Sequence, residues 1–311
     1  MKYYLNRAEN KDPISVFKGG YYRDALKSGL VMEAIQGFNP YQMGAIGGSD
    51  THIGAAPFDE SRFITRADTP LKRGSAYPDV EKADTSWDNF VTPRRATHGT
   101  GGLAGVWAEE NTRDALYTAM RRRETFATSG PRIQLRFFAG QLPEDIANHR
   151  DPVSTAYKSG VPMGGELSSL DESPLFFIWA LRDPQEGWLQ RAQIIKGWVE
   201  KGEAKEAVFD VACSDGLEPD PISHRCPANG ALVNLNDCSI TRGKGDVSLK
   251  TAWTDPEFRA DQQAFYYVRV LENPSCRWST WDAIRLGIEP NPDLKSTQQE
   301  RAWSSPIWYK P

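Results

Sequence analysis

Between residues 132 and 276 the sequence breaks into short apolar runs, and their period limits what the chain can become. RIQLRFFAG sets Ile133, Leu135 and Phe137 against Arg132, Gln134 and Arg136. Residues two apart share one face of an extended chain, so this alternation predicts a strand with one buried side. PLFFIWALRDP, LQRAQIIKGWVE, EAVFDVACS, VSLKTAWTD and AFYYVRVLEN follow, separated by clusters of Gly, Pro, Asp and Asn. Five or six strands with hardly any helical period predict an antiparallel sandwich. With 10 Trp, 11 Tyr and 13 Phe in 311 residues, apolar bulk for a core is not limiting.

The first third reads differently. YYRDALKSGLVMEAIQ carries Tyr22, Leu26 and Leu30 at i, i+4 and i+8, one stripe of an amphipathic helix that Gly37 and Asn39-Pro40 end. Met43 to Gly48 is short and apolar and predicts a buried strand. Helix, turn, strand and then polar residues is the rhythm of an α/β barrel, which places its chemistry at the strands' C-terminal ends. Residues 57–100 are polar, rich in Pro, Asp and Arg, with little periodicity. Order resumes with a predicted strand over Leu103 to Trp107. A helix capped by Asn111 or Thr112 runs to about Arg123, with Ala115, Leu116, Ala119 and Met120 as its buried stripe. A strand over Phe126 to Thr128 closes at Gly130-Pro131. The expected organisation is α/β plus all-β, with residues 1–130 in one domain and the β-rich residues 131–311 in another.

A net charge of −4 argues against a general nucleic-acid binder. The densest basic run, Arg121 to Arg123, falls at a predicted helix end, where it complements the dipole. The longest apolar run, Leu175 to Leu181, is far short of the roughly 20 residues that span a bilayer, so no transmembrane helix is predicted. The start, MKYYLNRAENKDPISVF, lacks the apolar core of a signal peptide. All four cysteines lie in the last third and form no CxxC, which argues against a zinc ribbon or a thioredoxin motif. Two disulfides and four free thiols both remain open.

GAIGGSDTHIG places Asp50 and His52 two apart just after the predicted strand. In extended geometry both side chains point one way, and a carboxylate oxygen with an imidazole nitrogen suits zinc, manganese or iron. Two ligands do not hold a catalytic zinc, which takes three from the protein. The plainer reading has Asp50 capping a turn and His52 at the surface. His98, in RRATHGTGG, is placed either to reach the same cleft or to sit in a loop. His149 and His224 read as surface residues, Glu109-Glu110 as acids favoured at a helix start, and Lys196 and Trp198 as structural. Neither GxxxxGK[ST] nor GxSxG occurs.

Four stretches, GFNPYQMGAIGGSDTHIG, GGLAGVWAEENTRDALYTAMRRRETFATSGPRIQLRFFAG, AQIIKGWVEKGEAKEAVFDVA and RAWSSPIWYKP, together resemble the DUF3604 family, collinearly over nearly the whole chain. That family is related to the PHP (polymerase and histidinol phosphatase) metallohydrolases. The resemblance implies the C-terminal portion of a PHP-like (β/α)7 barrel with a multinuclear metal site, followed by an antiparallel β-sandwich-like region. Asp50 and His52 match the last PHP metal motif, Asp-x-His. The earlier motifs begin with His-x-His, and the 49 residues before Asp50 contain no histidine. The chain is therefore expected to be the C-terminal part of a longer protein and to be inactive alone. The implied activity is a metal-dependent phosphoesterase acting on a small phosphorylated substrate, with divalent Zn, Mn or Fe held by Asp50 and His52. Arg122, Arg123 or Arg132 would contact the phosphate. Relatives of this kind are often exported, which favours a periplasmic or secreted protein and disulfides. Two other readings stand beside this one. One is a hydrolase of the same metal class acting on a different bond. The other is a β-sandwich binding module that holds carbohydrate or a protein partner through Trp179, Trp188, Trp198, Trp253, Trp278 and Trp281.

Overall fold

The computed structural model describes residues 21–48, 58–63, 99–290, 292 and 294–311. In chain order these form helix α1 (Tyr22–Gln36), strand β1 (Leu103–Val106), helix α2 (Arg113–Arg121), strands β2 (Thr125–Thr128) and β3 (Gln134–Gly140), and helix α3 (Pro152–Ser159). Strands β4 (Gly160–Pro162), β5 (Glu166–Ser168), β6 (Leu175–Leu181), β7 (Leu189–Glu200), β8 (Glu203–Cys213), β9 (Ser248–Thr254) and β10 (Ala264–Cys276) follow. Helix α4 (Trp278–Leu286) and strands β11 (Thr297–Ser304) and β12 (Ile307–Lys310) complete the order.

Two sheets result. The larger has eight strands, β1-β2-β11-β10-β12-β5, with β7 also on β10 and β8 on β7. The smaller runs β4-β3-β6-β9. Every pairing is antiparallel except β5 with β12. The alternation in RIQLRFFAG is realised: Ile133, Leu135 and Phe137 enter the core between the sheets, opposite Ala192, Ile194, Val268 and Val270. The β7–β8 hairpin turns on two residues, Lys201 and Gly202, both at positive φ (52° and 79°). That turn hand matches the twist of the strands it joins.

Each sheet also carries a helix on its outer face. Leu26 and Leu30 of α1 are fully buried against Ile195, Phe265 and Trp308 of the large sheet. The helix ends as the sequence predicts, with Gly37 left-handed at φ 80° and its N–H on Glu33 O. Ala156 of α3 packs with Phe138 and Phe177 on the far side of the small sheet. Asp151 caps α3 by accepting from the Ser154 N–H at 3.2 Å. The layers are helix, sheet, sheet, helix.

This architecture overturns the expected α/β class with its (β/α)7 barrel portion. The described residues are mostly sheet and contain no closed barrel. Strands β1 and β2 pair antiparallel, and β2 goes on to pair with β11, about 170 residues later. The helix-turn-strand rhythm is a local pattern, and long-range antiparallel pairing overrides it. Met43 to Gly48 forms no strand. Gly47 serves close approach instead: a Cβ there would overlap the Leu103 carbonyl and Thr128 O. The predicted stripe of α2 is only partly realised. Ala119 is buried, whereas Met120 stands 52% exposed, because α2 lies beside the edge strand β1 with little above it.

Two disulfides, Cys213–Cys226 and Cys238–Cys276, account for all four cysteines. No described helix is long and apolar enough to cross a membrane.

Candidate functional site

A cleft of about 740 Å³ opens where the start of α1 meets the 43–48 segment, the entry to β1, the end of β2, the interior of β10 and Trp303 near the end of β11. Hydrogen bonds fix the 43–48 segment as one wall. The Ala45 N–H donates to Ser305 Oγ at 2.8 Å, and the Ser305 hydroxyl donates to Thr125 O at 2.7 Å. Tyr22 donates its hydroxyl to Met43 O (3.1 Å), and Arg123 Nη1 donates to Gln42 O (2.9 Å). The opposite wall is made of Tyr267 and Arg269 from β10 and Trp303 from β11.

The cleft is electropositive at one end. Arg269 is largely buried. Burial pulls its guanidinium below the usual arginine range, Tyr267 opposes that shift, and the neighbouring charges of Arg23 and Arg301 add to it. Its Nε is held by Gln193 Oε1 at 2.7 Å. Arg23 lies in the first turn of α1 and pairs with Glu206, yet its Nη2 is buried with no hydrogen-bond partner among the described residues. The N-cap residue, Tyr21, supplies no capping side chain, so the first N–H groups and positive end of α1 add to the field here. Asp24, also in this wall, lies 3.2 Å from Lys27 Nζ. Burial raises the phenol pKa values of Tyr22 and Tyr267, and both stay neutral. Together these groups suit an anion carrying some apolar surface.

Asp50, His52 and His98 lie outside the described residues. In sequence Asp50 follows the cleft residue Gly48 by two positions, and His98 precedes the cleft residue Thr100 by two. Arg123 and Arg132 are described, and neither lines the cleft. The Arg123 guanidinium is spent on Gln42 O. Arg132 is exposed, and its backbone N–H donates to Asp183 Oδ2 (2.8 Å). Arg122 pairs with Glu124 at 3.3 Å. Among the described residues no group of three or more His, Cys, Asp or Glu side chains is arranged to hold a metal ion. His149 is exposed, and His224 packs edge-on to Phe209 at 5.1 Å.

The tryptophans singled out in the β-rich region all have partners. Trp253 packs on Phe176 and Phe209, and Trp179 donates to Ser248 Oγ beneath Lys250. Arg182 stacks on Trp188, Arg285 on Trp281, and Lys196 sits 5.2 Å from the Trp198 ring. Trp278 is buried against Phe63. Sequence reasoning missed Arg23 and Arg269. Arg269 carried a faint signal, as a lone charge in the apolar run AFYYVRVL, but nothing in sequence joined it to Arg23.

Fold and cleft define a two-sheet protein with an anion-suited pocket on the α1 face of its larger sheet. A family model described as "Protein of unknown function (DUF3604)" matches residues 2–311, and the chain belongs to that family. No curated protein and no solved structure matches it.

Proposed function

We propose that the chain serves a metal-dependent hydrolase of PHP type acting on a small phosphorylated substrate, whose phosphoryl group binds in the cleft beside α1. The supporting observation is the convergence of Arg23, Arg269 and the uncapped start of α1 on the cleft that Gly48, just before Asp50, also lines. Asp50 and His52 would hold a divalent Zn, Mn or Fe ion, since one carboxylate oxygen and one imidazole nitrogen suit these metals. Two ligands are too few, and the described walls add no ready cluster; further ligands would come from outside the described residues. When bound, such an ion supplies an activated water near neutral pH and neutralises phosphoryl oxygens.

The chain's own part is to bind and orient. Arg269, fixed through Nε by Gln193, turns its remaining N–H donors toward a phosphoryl oxygen, and Arg23 Nη2 meets a second. Tyr267 and Trp303 flank the apolar part of the ester and keep water from its far side. Two disulfides fit an oxidising compartment, and we assign the protein to the periplasm or the exterior. The test is hydrolysis of p-nitrophenyl phosphate by the full-length protein with Mn or Zn added. Asp50→Ala should abolish turnover, and Arg269→Lys, which loses the planar fork, should raise KM about tenfold or more with little change in kcat. Turnover that survives both chelation and Asp50→Ala refutes the assignment.

A further inference from the structure

A second cavity, about 210 Å³, lies between Phe58–Glu60, the turn before β7, the Cys238–Cys276 bridge and the start of α4. It is lined by Glu186, Glu272 and Glu300 as well as Asp59 and Glu60, and by no described Lys or Arg. Most of these carboxylates already have partners. Glu60 accepts from the Thr100 N–H (2.9 Å) and the Trp278 N–H (2.6 Å). Asp59 takes the Ser61 N–H and hydroxyl, both at 2.7 Å. Glu300 accepts from Ser129 and Gln298. Glu272 differs. It is 2% exposed, its Oε2 accepts from the Gly187 N–H at 3.1 Å, and its Oε1 is buried with no partner among the described residues. An unpartnered buried carboxylate oxygen is costly, and Glu272 lines the cavity, so a donor held there would satisfy it.

We infer that this pocket binds a small alkylammonium, which donates N–H to Glu272 Oε1 and lays its carbon chain against Phe58 and Trp281. Its sign is set by the acidic lining. Its chemistry is set by geometry, because the described carboxylates are not gathered into a metal-ligand set, whereas a carboxylate with a spare acceptor in a cavity that two aromatic rings also line is the surrounding an organic cation takes. The volume suits a cation of several heavy atoms. Protonation keeps the empty pocket tolerable. Burial first, then the charges of Glu300, Glu186 and Asp183, push the Glu272 carboxyl up to about 9, against a lowering contribution from the Gly187 N–H. Burial, then Glu60 and Glu186, push Glu300 up to about 8 against the lowering Ser129 bond and Arg301 charge, and burial with Asp59 and Asp183 pushes Glu186 up to about 7. An arriving ammonium displaces the Glu272 proton, so binding releases a proton and tightens as pH rises.

The test is calorimetry on the full chain in buffers free of amines, with n-butylammonium chloride as probe and n-butanol, calcium and manganese as controls. Butylammonium should bind saturably, at least tenfold tighter than butanol, and about thirtyfold tighter at pH 8 than at pH 6.5, with proton release. Glu272→Gln, close to isosteric, should weaken it at least tenfold. Ile240→Lys, which brings a tethered ammonium from the exposed rim, should block it while the fold persists. The proposal is overturned by butylammonium binding no tighter than sodium or butanol, by full affinity in Glu272→Gln, or by calcium or manganese binding that Glu272→Gln removes. Neither variant touches Arg23, Arg269, Asp50 or His52, so this result and the phosphatase result stand apart.

Discussion

Lys196 offers the sharpest energetic test of the fold. Its side chain is 2% exposed and its Nζ lies 2.6 Å from Asp255 Oδ2, whose side chain is wholly buried. The same Nζ donates to Glu257 O at 2.7 Å. Asp255 also accepts from the Tyr266 hydroxyl (2.8 Å) and the Glu257 N–H (2.9 Å). The carboxylate thus has three donors, and the ammonium is the only cation among them. Replacing Lys196 with Met keeps the apolar stem and removes that charge. Breaking a buried pair from one side costs about 3–5 kcal/mol; the two remaining donors hold the carboxylate, so about 3 kcal/mol is expected. Asp255→Asn alone should cost a similar amount, since it strands the ammonium. The double variant buries no charge and should lie within about 1.5 kcal/mol of the parent, giving a coupling of over 2 kcal/mol in a double-mutant cycle. Urea unfolding at pH 7 with disulfides intact reads all four proteins. A Lys196→Met loss below about 1 kcal/mol, or singles that simply add, refutes the reasoning.

In amine-free buffer, Glu272 and Glu300 hold protons in the folded chain up to about pH 9 and about pH 8, whereas ordinary carboxyls titrate near 4.5. A raised folded pKa means stability is full below about pH 4.5 and drains as pH climbs toward 9, by at most about 1.4 kcal/mol per unit for each group. Urea midpoints of wild type and Glu272→Gln should therefore diverge as pH rises from about 4.5 toward 9, the variant gaining, and parallel curves count against it. Opening Cys238–Cys276 with serines frees a 38-residue separation against 13 for Cys213–Cys226. Chain entropy then predicts losses of about 4 and about 3 kcal/mol, and the reverse order in thermal melts would contradict it.

What could be read in the sequence was local. The period-two rows of β3 and the stripe of α1 name their own buried faces, and both faces are buried as read. Partner choice could not be read that way. Gly47 and Gly102 look like punctuation around short strands, yet they let two backbones touch, a fact that lives in the approach of distant segments. The barrel expectation came from a neighbouring helix and an apolar run, without the β2–β11 pairing that cancels it. Lys196 was legible as structural but its partner, 59 residues on, was not. Glu272 and Glu300 did leave a trace: they continue the even-numbered rows of Val268, Val270 and of Ala302, all core-facing. A charge in phase with a buried row is a signal worth heeding.

The pairing of β2 with β11 also bears on how the chain reaches its folded state. The central part of the large sheet is stitched from segments synthesised early and late, with Ser305 closing on Thr125 across 180 positions. A ribosome extends the polypeptide by about 5–20 residues each second, so the β1–β2 pair spends roughly ten to forty seconds with a bare edge before its neighbour exists. Assembly of that sheet must wait on the last strands to emerge, and such high contact order makes for slow folding. A nascent chain in this condition is the kind of client that holdase chaperones keep from premature strand pairing.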